Sequence, residues 1–247
     1  MTDPAIAALI CLAFLTAGLI KGVIGLGMPV VVLAFLATTI GLKPTLALMV
    51  FPGIIGNLWQ ATTGGAFWSN LSRLWSMFAL SVAAIWIGVA TLAAVEVRWI
   101  TALLGLILSA YAALSLWKPR LPPPRQWEIW LSPTIGAVAG FMFGLTGTYM
   151  VPGVIYIEAL GLQRDAFVQA LGMTFLIISA TLGASLVQHD LMSAKVTLAS
   201  ALALVPLFTG LLVGQRVRRH VPQDKFRKLF FIWLFITGFV IFGRAAF

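Results

Sequence analysis

Lys21-Gly22-Val23-Ile24-Gly25-Leu26-Gly27-Met28-Pro29 sets one cation and three closely spaced glycines, ended by a proline, inside strongly apolar sequence. Glycine weakens a helix, and proline cannot continue one from its interior, although it fits a first turn well. The run therefore predicts that a membrane helix breaks here and that the next one starts at about Pro29. A second version follows at Gly140-Phe141-Met142-Phe143-Gly144-Leu145-Thr146-Gly147-Thr148-Tyr149-Met150-Val151-Pro152.

Around these breaks the chain is 61% hydrophobic and only 9% charged, where soluble domains carry roughly a quarter charged residues. Its mean hydropathy is +1.03. It reads as an all-α polytopic membrane protein, residues 1–247 forming a single transmembrane domain of about ten membrane segments. No room is left for a soluble enzyme module. A net charge of +9 raises nucleic acid as a partner, but the cations lie between apolar runs, where the positive-inside bias accounts for them, so no nucleic-acid binding is expected. Cys11, the single cysteine, excludes an internal disulfide and reads as a small core residue. Met1-Thr2-Asp3 carries no basic n-region, so the first apolar run reads as a retained segment rather than a signal peptide.

The expected segments are about Pro4 to Ile20, a short piece from Met28 to Ile40, Pro44 to Thr63, Leu74 to Val95 and Trp99 to Trp117. The short piece spans ~20 Å at 1.5 Å per residue, against a hydrocarbon core near 30 Å, so it reads as half of a re-entrant or broken helix. Lys118-Pro119-Arg120-Leu121-Pro122-Pro123-Pro124-Arg125 predicts an extended connector. Beyond it the plan recurs, with segments near Pro133–Phe143, Met150–Leu160, Asp165–Val187, Ala194–Val213 and Phe226–Phe242. Gly18, Gly22, Gly25 and Gly27 pair with Gly136, Gly140, Gly144 and Gly147. The expected organisation is repeat one at 1–117, a linker at 118–132 and repeat two at 133–247. Repeats with interrupted helices at corresponding places point to a secondary transporter's binding site.

Charge bias addresses orientation. With five segments per half, one face collects Arg73, Lys118, Arg120, Arg125, Arg164, Arg216, Arg218, Arg219, Lys225, Arg227 and Lys228, and the other only Lys43, Arg98, Lys195 and Arg244. Four segments per half split the cations more evenly. The stronger bias favours two inverted five-segment repeats, both termini outside, with the two breaks entering from opposite faces and meeting at mid-membrane.

A restarting helix offers unpaired N–H groups and the positive end of its dipole, which favour an anion. Lys21, Gly25 and Gly27 at the first break and Thr146, Gly147 and Thr148 at the second are therefore candidate substrate contacts. Glycines that only permit close helix packing, with Lys21 reaching an interface, are the plain alternative. Asn57 and Gln60 share a face of the third segment with Gly53, and Gln169 and Thr174 are their polar counterparts in the second half. Either group could hydrogen-bond substrate oxygens or only neighbouring helices. The seven acidic residues and both histidines fall at segment ends or loops, without carboxylate pair, metal-ligand spacing or Ser/His/Asp grouping. Neither catalysis nor a cofactor or metal is expected. Trp68, Trp75, Trp117, Trp127 and Trp130 near one face, and Trp99 near the other, read as interface anchors.

The tandem glycine breaks, each followed by a short apolar run, Gly-Leu (Gly41-Leu42, Gly161-Leu162) and a helix, resemble the TauE/SafE sulfite exporter family over nearly the whole chain. The usual Gly-Gly-Gly before the proline is degenerate here, as Gly25-Leu26-Gly27 and Gly144-Leu145-Thr146-Gly147. The resemblance implies a bacterial inner-membrane permease exporting a small sulfur oxyanion or sulfonate, such as sulfite or sulfoacetate. An anion channel, or an uptake permease for thiosulfate or another small anion, is the alternative, and a homodimer is the plausible assembly for a small transporter of this type.

Overall fold

A chain this apolar can satisfy its backbone within a bilayer by winding into helices, and every regular element among the described residues is helical. The computed structural model describes residues 4–25, 27–117, 122–218, 220 and 223–246, the side chains of 223 and 224 excepted. Leu26 of the first break, Lys118 to Leu121 of the linker, Arg219 of the basic run and Met1-Thr2-Asp3 lie outside the described residues.

The first part of the chain forms α1 (Pro4–Ile24), α2 (Met28–Leu36), α3 (Leu42–Leu48), α4 (Val50–Thr62), α5 (Phe67–Ala94) and α6 (Val97–Trp117). After a 3-10 turn at Arg125–Trp127 come α7 (Glu128–Thr146), a π turn at Met150–Val154 and α8 (Ile155–Ala159). The chain ends with α9 (Arg164–Gln188), α10 (Ala194–Leu202), α11 (Leu204–Val217) and α12 (Gln223–Ala246). Among the described residues, eight stretches are long and apolar enough to cross a membrane, α3 with α4 and α10 with α11 each counting as one. This is a multi-pass membrane protein. α2, at 9 residues, is too short to cross.

Several boundaries lie earlier than the apolar pattern placed them. α5 starts at Phe67 instead of Leu74, because its polar first turns find partners: Asn70 is buried and its Nδ2 donates to Ala166 O at 2.9 Å. α7 starts at Glu128 and carries Pro133 inside it; the Glu128 carboxylate accepts from Arg73 Nε and Nη2 at 2.6 and 2.8 Å. α3 starts at Leu42, with Pro44 in its first turn, where a missing N–H has no helical partner to lose. Cys11, expected in the core, is exposed. In a chain whose outer face is also apolar, hydrophobicity does not separate core from lipid-facing positions.

The chain gathers into two compact units, and each takes helices from both sides of the linker. One holds α1, α2, α3 with α4 up to Pro52, α6 and α10 to α12. Here α1 packs on α11 and α6 on α12. A Cβ on Gly22 would lie 2.5 Å from Leu211 O, and one on Gly214 3.0 Å from Gly22 Cα, so the two backbones touch. Gly18 meets Leu207 and Leu211 while Gly22 meets Leu211 and Gln215, so α1 and α11 run parallel. α6 and α12 are antiparallel: Ser109 Oγ donates to Phe235 O at 3.3 Å, and Arg98 closes the end of α12 by donating to Ala245 O and Ala246 O at 2.7 and 2.6 Å. The joint between α3 and α4 follows from Pro52, which has no N–H to give Leu48 O. Ser200 Oγ on α10 donates to that carbonyl at 2.8 Å and accepts from Phe51 N at 3.1 Å.

The other unit holds the remainder of α4 from Gly53, with α5, α7, α8 and α9. α7 lies along α5 in the same direction, Gly136 against Met77, Gly140 against Ser81, and a Cβ on Gly144 3.1 Å from Gly88 Cα. Arg73 to Glu128 joins the starts of α5 and α7, and Asn70 to Ala166 O joins the starts of α5 and α9. All three helices therefore begin at one end of this unit. The chain that leaves α7 at the far end comes back to the near end across the second break.

Overpacking a tight contact costs about 1–3 kcal/mol or more. Gly144→Leu is expected to lower thermal stability in detergent by that amount. Gly243→Leu, where a Cβ meets nothing within 4 Å, is the matched control and should leave it unchanged.

Candidate functional site

The first break forms where α1 gives out. Gly25 N still donates to Lys21 O at 2.8 Å, after which Gly25 and Gly27 adopt φ of 95° and 105°, a left-handed conformation that residues with a Cβ rarely accept. Gly27 is the N-cap of α2, with Pro29 in the first turn and no side chain capping the end. The first N–H groups of α2 thus stay available, with the positive end of its dipole. A Cβ on Gly25 would meet nothing within 4 Å, so there is room for a ligand to come close to this backbone. Lys21 occupies the last turn of α1 and is 7% exposed, a position where the negative end of the α1 dipole favours a cation.

The second break is made differently. α7 ends at Thr146, and Gly147 turns left-handed at φ 77° while its N–H donates to Phe143 O at 2.8 Å. Helical geometry does not resume at once, since Val151 is extended at φ −118°, ψ 123°. Thr146 Oγ1 donates back to Met142 O at 2.7 Å and accepts from Thr148 N at 3.4 Å. Thr148 is fully buried, and its Oγ1 has no hydrogen-bond partner among the described residues. An unpaired buried hydroxyl costs about 1–3 kcal/mol, so the group is suited to a partner the polypeptide does not supply.

Tyr149 fixes the break to its surroundings. Ser81 Oγ donates to Gly136 O at 3.0 Å, so its one hydrogen is committed and the Tyr149 hydroxyl, 2.7 Å away, is the donor to Ser81. The Tyr149 ring stands edge-on to Phe143 and Phe175, with centroids 6.2 and 6.4 Å apart. Tyr149 was not among the expected contacts, although a tyrosine inside a predicted break was a readable signal. Ser81 offered none.

Asn57, Gln60, Gln169 and Thr174 belong to α4 and α9, which run antiparallel. Gly53 faces Ser179, and Gly172 faces Gln60 and Ala61, so Asn57 and Thr174 fall between these two contacts. Asn57 Nδ2 donates to Gly53 O at 2.7 Å and Thr174 Oγ1 to Ala170 O at 2.7 Å, each within its own helix. The Gln169 amide bridges main chain instead, accepting from Ala66 N at 2.8 Å and donating to Ala61 O at 3.1 Å, which stitches the turn between α4 and α5 to α9. Gln60 is half-buried. Through Tyr149 and Phe175 the second break is linked to α9 one residue from Thr174.

Packing also sets the register between the breaks. Gly22 and Gly144 are each the glycine that meets a glycine of the neighbouring helix, and Gly25 and Gly147 are each the first left-handed residue beyond a helix. Among the described residues, no group of three or more His, Cys, Asp or Glu side chains could hold a metal ion.

Searches of curated proteins and of solved structures return no match. A family model does match, described as sulfite exporter TauE/SafE, over residues 10–241. With nearly the whole chain covered and the membrane helices and helix breaks in place, this protein belongs to the TauE/SafE sulfite exporter family.

Proposed function

We propose that the protein exports a small sulfur-containing oxyanion, sulfite or an organosulfonate such as sulfoacetate, across a bacterial inner membrane by alternating access, with the helix breaks as its anion-binding elements. The observation that carries this reading is Thr148 Oγ1, a buried hydroxyl without a partner among the described residues, placed inside the second break. It can donate to one oxygen of a sulfite or sulfonate. At the first break the uncapped start of α2, the open space at Gly25 and the buried Lys21 offer donors and positive charge to the same kind of ligand.

The two halves form inverted five-segment repeats in this reading, with both termini outside. It is supported by the return of the chain, across the second break, to the end of its unit at which α7 began, as expected of a broken pair that enters and leaves by one face. Export of an anion from a cell that is negative inside is downhill by about 2.3 kcal/mol per charge per 100 mV. A buried proton carrier is not needed for it. The Gln169 amide, already held by two main-chain groups, positions the turn between α4 and α5, while Asn57, Gln60 and Thr174 flank the site on α4 and α9.

Counterflow in proteoliposomes with sulfite, thiosulfate, sulfoacetate and taurine should show saturable exchange of at least one of them; a non-saturating flux would indicate a channel instead. A hydrogen bond to a charged group contributes about 1.5–3 kcal/mol. Thr148→Val is therefore expected to weaken the apparent affinity roughly 10- to 100-fold while thermal stability stays level or rises. Full affinity in that variant would remove Thr148 from the site. Lys21→Ala should likewise weaken substrate binding in a folded protein. For Gln169→Leu the opposite pattern is expected, with stability lowered by about 1–3 kcal/mol and the affinity of the folded fraction unchanged.

A further inference from the structure

We infer that a groove between the starts of α5 and α7 is a binding site for an anionic phospholipid, its phosphate held at Arg125 and Arg73 and an acyl chain running along Pro133 and Leu80. The groove has a volume of about 700 Å³ and lies within one unit of the fold. Because α5 and α7 run parallel from a shared end, the charged part of its lining is gathered at one end. Arg73, Arg125, Gln126 and Glu128 lie at or near the starts of the helices with Ile129 beside them, Ser76 and Ser132 follow, and Leu80 on α5 and Pro133 on α7 lie further along. Leu80 is seven residues beyond Arg73, or ~10 Å along the axis. That is about the offset between a phosphate and the upper part of its acyl chain.

The level of the polar end is set independently by tryptophans. Trp68, Trp75, Trp127 and Trp130 are 76%, 64%, 63% and 72% exposed around this same end, as residues of an interfacial belt are. Charge completes the match. Glu128 neutralises Arg73 through two hydrogen bonds, whereas Arg125 is exposed and its side chain has no ion pair or hydrogen bond among the described residues. The polar end therefore keeps one net positive charge, together with the Arg73 N–H donors not given to Glu128. A zwitterionic headgroup would add a second cation beside Arg125, and an anionic one would not. Leu80, 40% exposed, gives the chain a wall open to the bilayer, and Ile129, 74% exposed, stands beside Glu128 at the headgroup level.

The test uses the full-length protein in detergent, titrated with phosphatidylglycerol, phosphatidylcholine or soluble glycerol 3-phosphate and read by native mass spectrometry. One near-surface arginine favours an anionic lipid by about fivefold. At least that preference for phosphatidylglycerol over phosphatidylcholine is expected, lost in Arg125→Ala and kept in Lys195→Ala, a cation removed from another helix, with thermal unfolding confirming that both variants fold. Equal binding of the two lipids, an unchanged preference in Arg125→Ala, or an equal loss in Lys195→Ala would overturn the assignment. Glycerol 3-phosphate bound as tightly as the lipid would show a bare phosphate site and would overturn it too.

Discussion

Where Gly22 meets Gly214, and where Gly144 meets Gly88, backbone lies on backbone with no side chain between. In a bilayer the lipid tails are as apolar as the helices, so helices gain little from burying hydrophobic surface against one another, and close van der Waals approach takes over that role. These two contacts sit one turn before the left-handed glycines at Gly25 and Gly147. The last turn of each broken helix is thereby held rigid at the point where its hydrogen bonding stops. Without that support the end of the helix would fray, and the geometry of the break would be lost with it.

The breaks have a common position and different chemistry. The first is glycine on both sides of its opening, next to a buried lysine, and leads into a nine-residue helix with an uncapped end. The second has one left-handed glycine, two buried threonines and a tyrosine pinned to Ser81, and it recovers helical geometry only after Val151. Charge and backbone donors dominate in one, hydroxyl groups in the other.

The sequence made the helices and the breaks legible, because each depends on local features: apolar length, and glycine and proline spacing. It also pointed to Thr146, Gly147 and Thr148 as one turn. The starts of α5 and α7 were hidden, since Asn70 and Glu128 look like loop residues until their partners, Ala166 O and Arg73, are known. The same limit applied to Gln169. A polar side chain in a membrane helix reads equally as ligand contact or as scaffold, and here the main chain of Ala61 and Ala66 takes up its amide. Glycines spaced four apart also leave several pairings of the two breaks open, and the close contacts across α1–α11 and α5–α7 could not be read from the spacing.

The pairing of α1 with α11 has a consequence for biosynthesis. Residues 15–22 find their neighbours among residues 207–215, so α1 waits for a helix made much later in synthesis. The unit built around α5, α7 and α9 can close while the ribosome is still at work. Until α10 to α12 arrive, the glycine face of α1 stays open to lipid or to passing chains. Long-range closure of this kind is slow and exposes partly assembled states. A nascent chain that stalls before residue 204 would leave that helix without its partner.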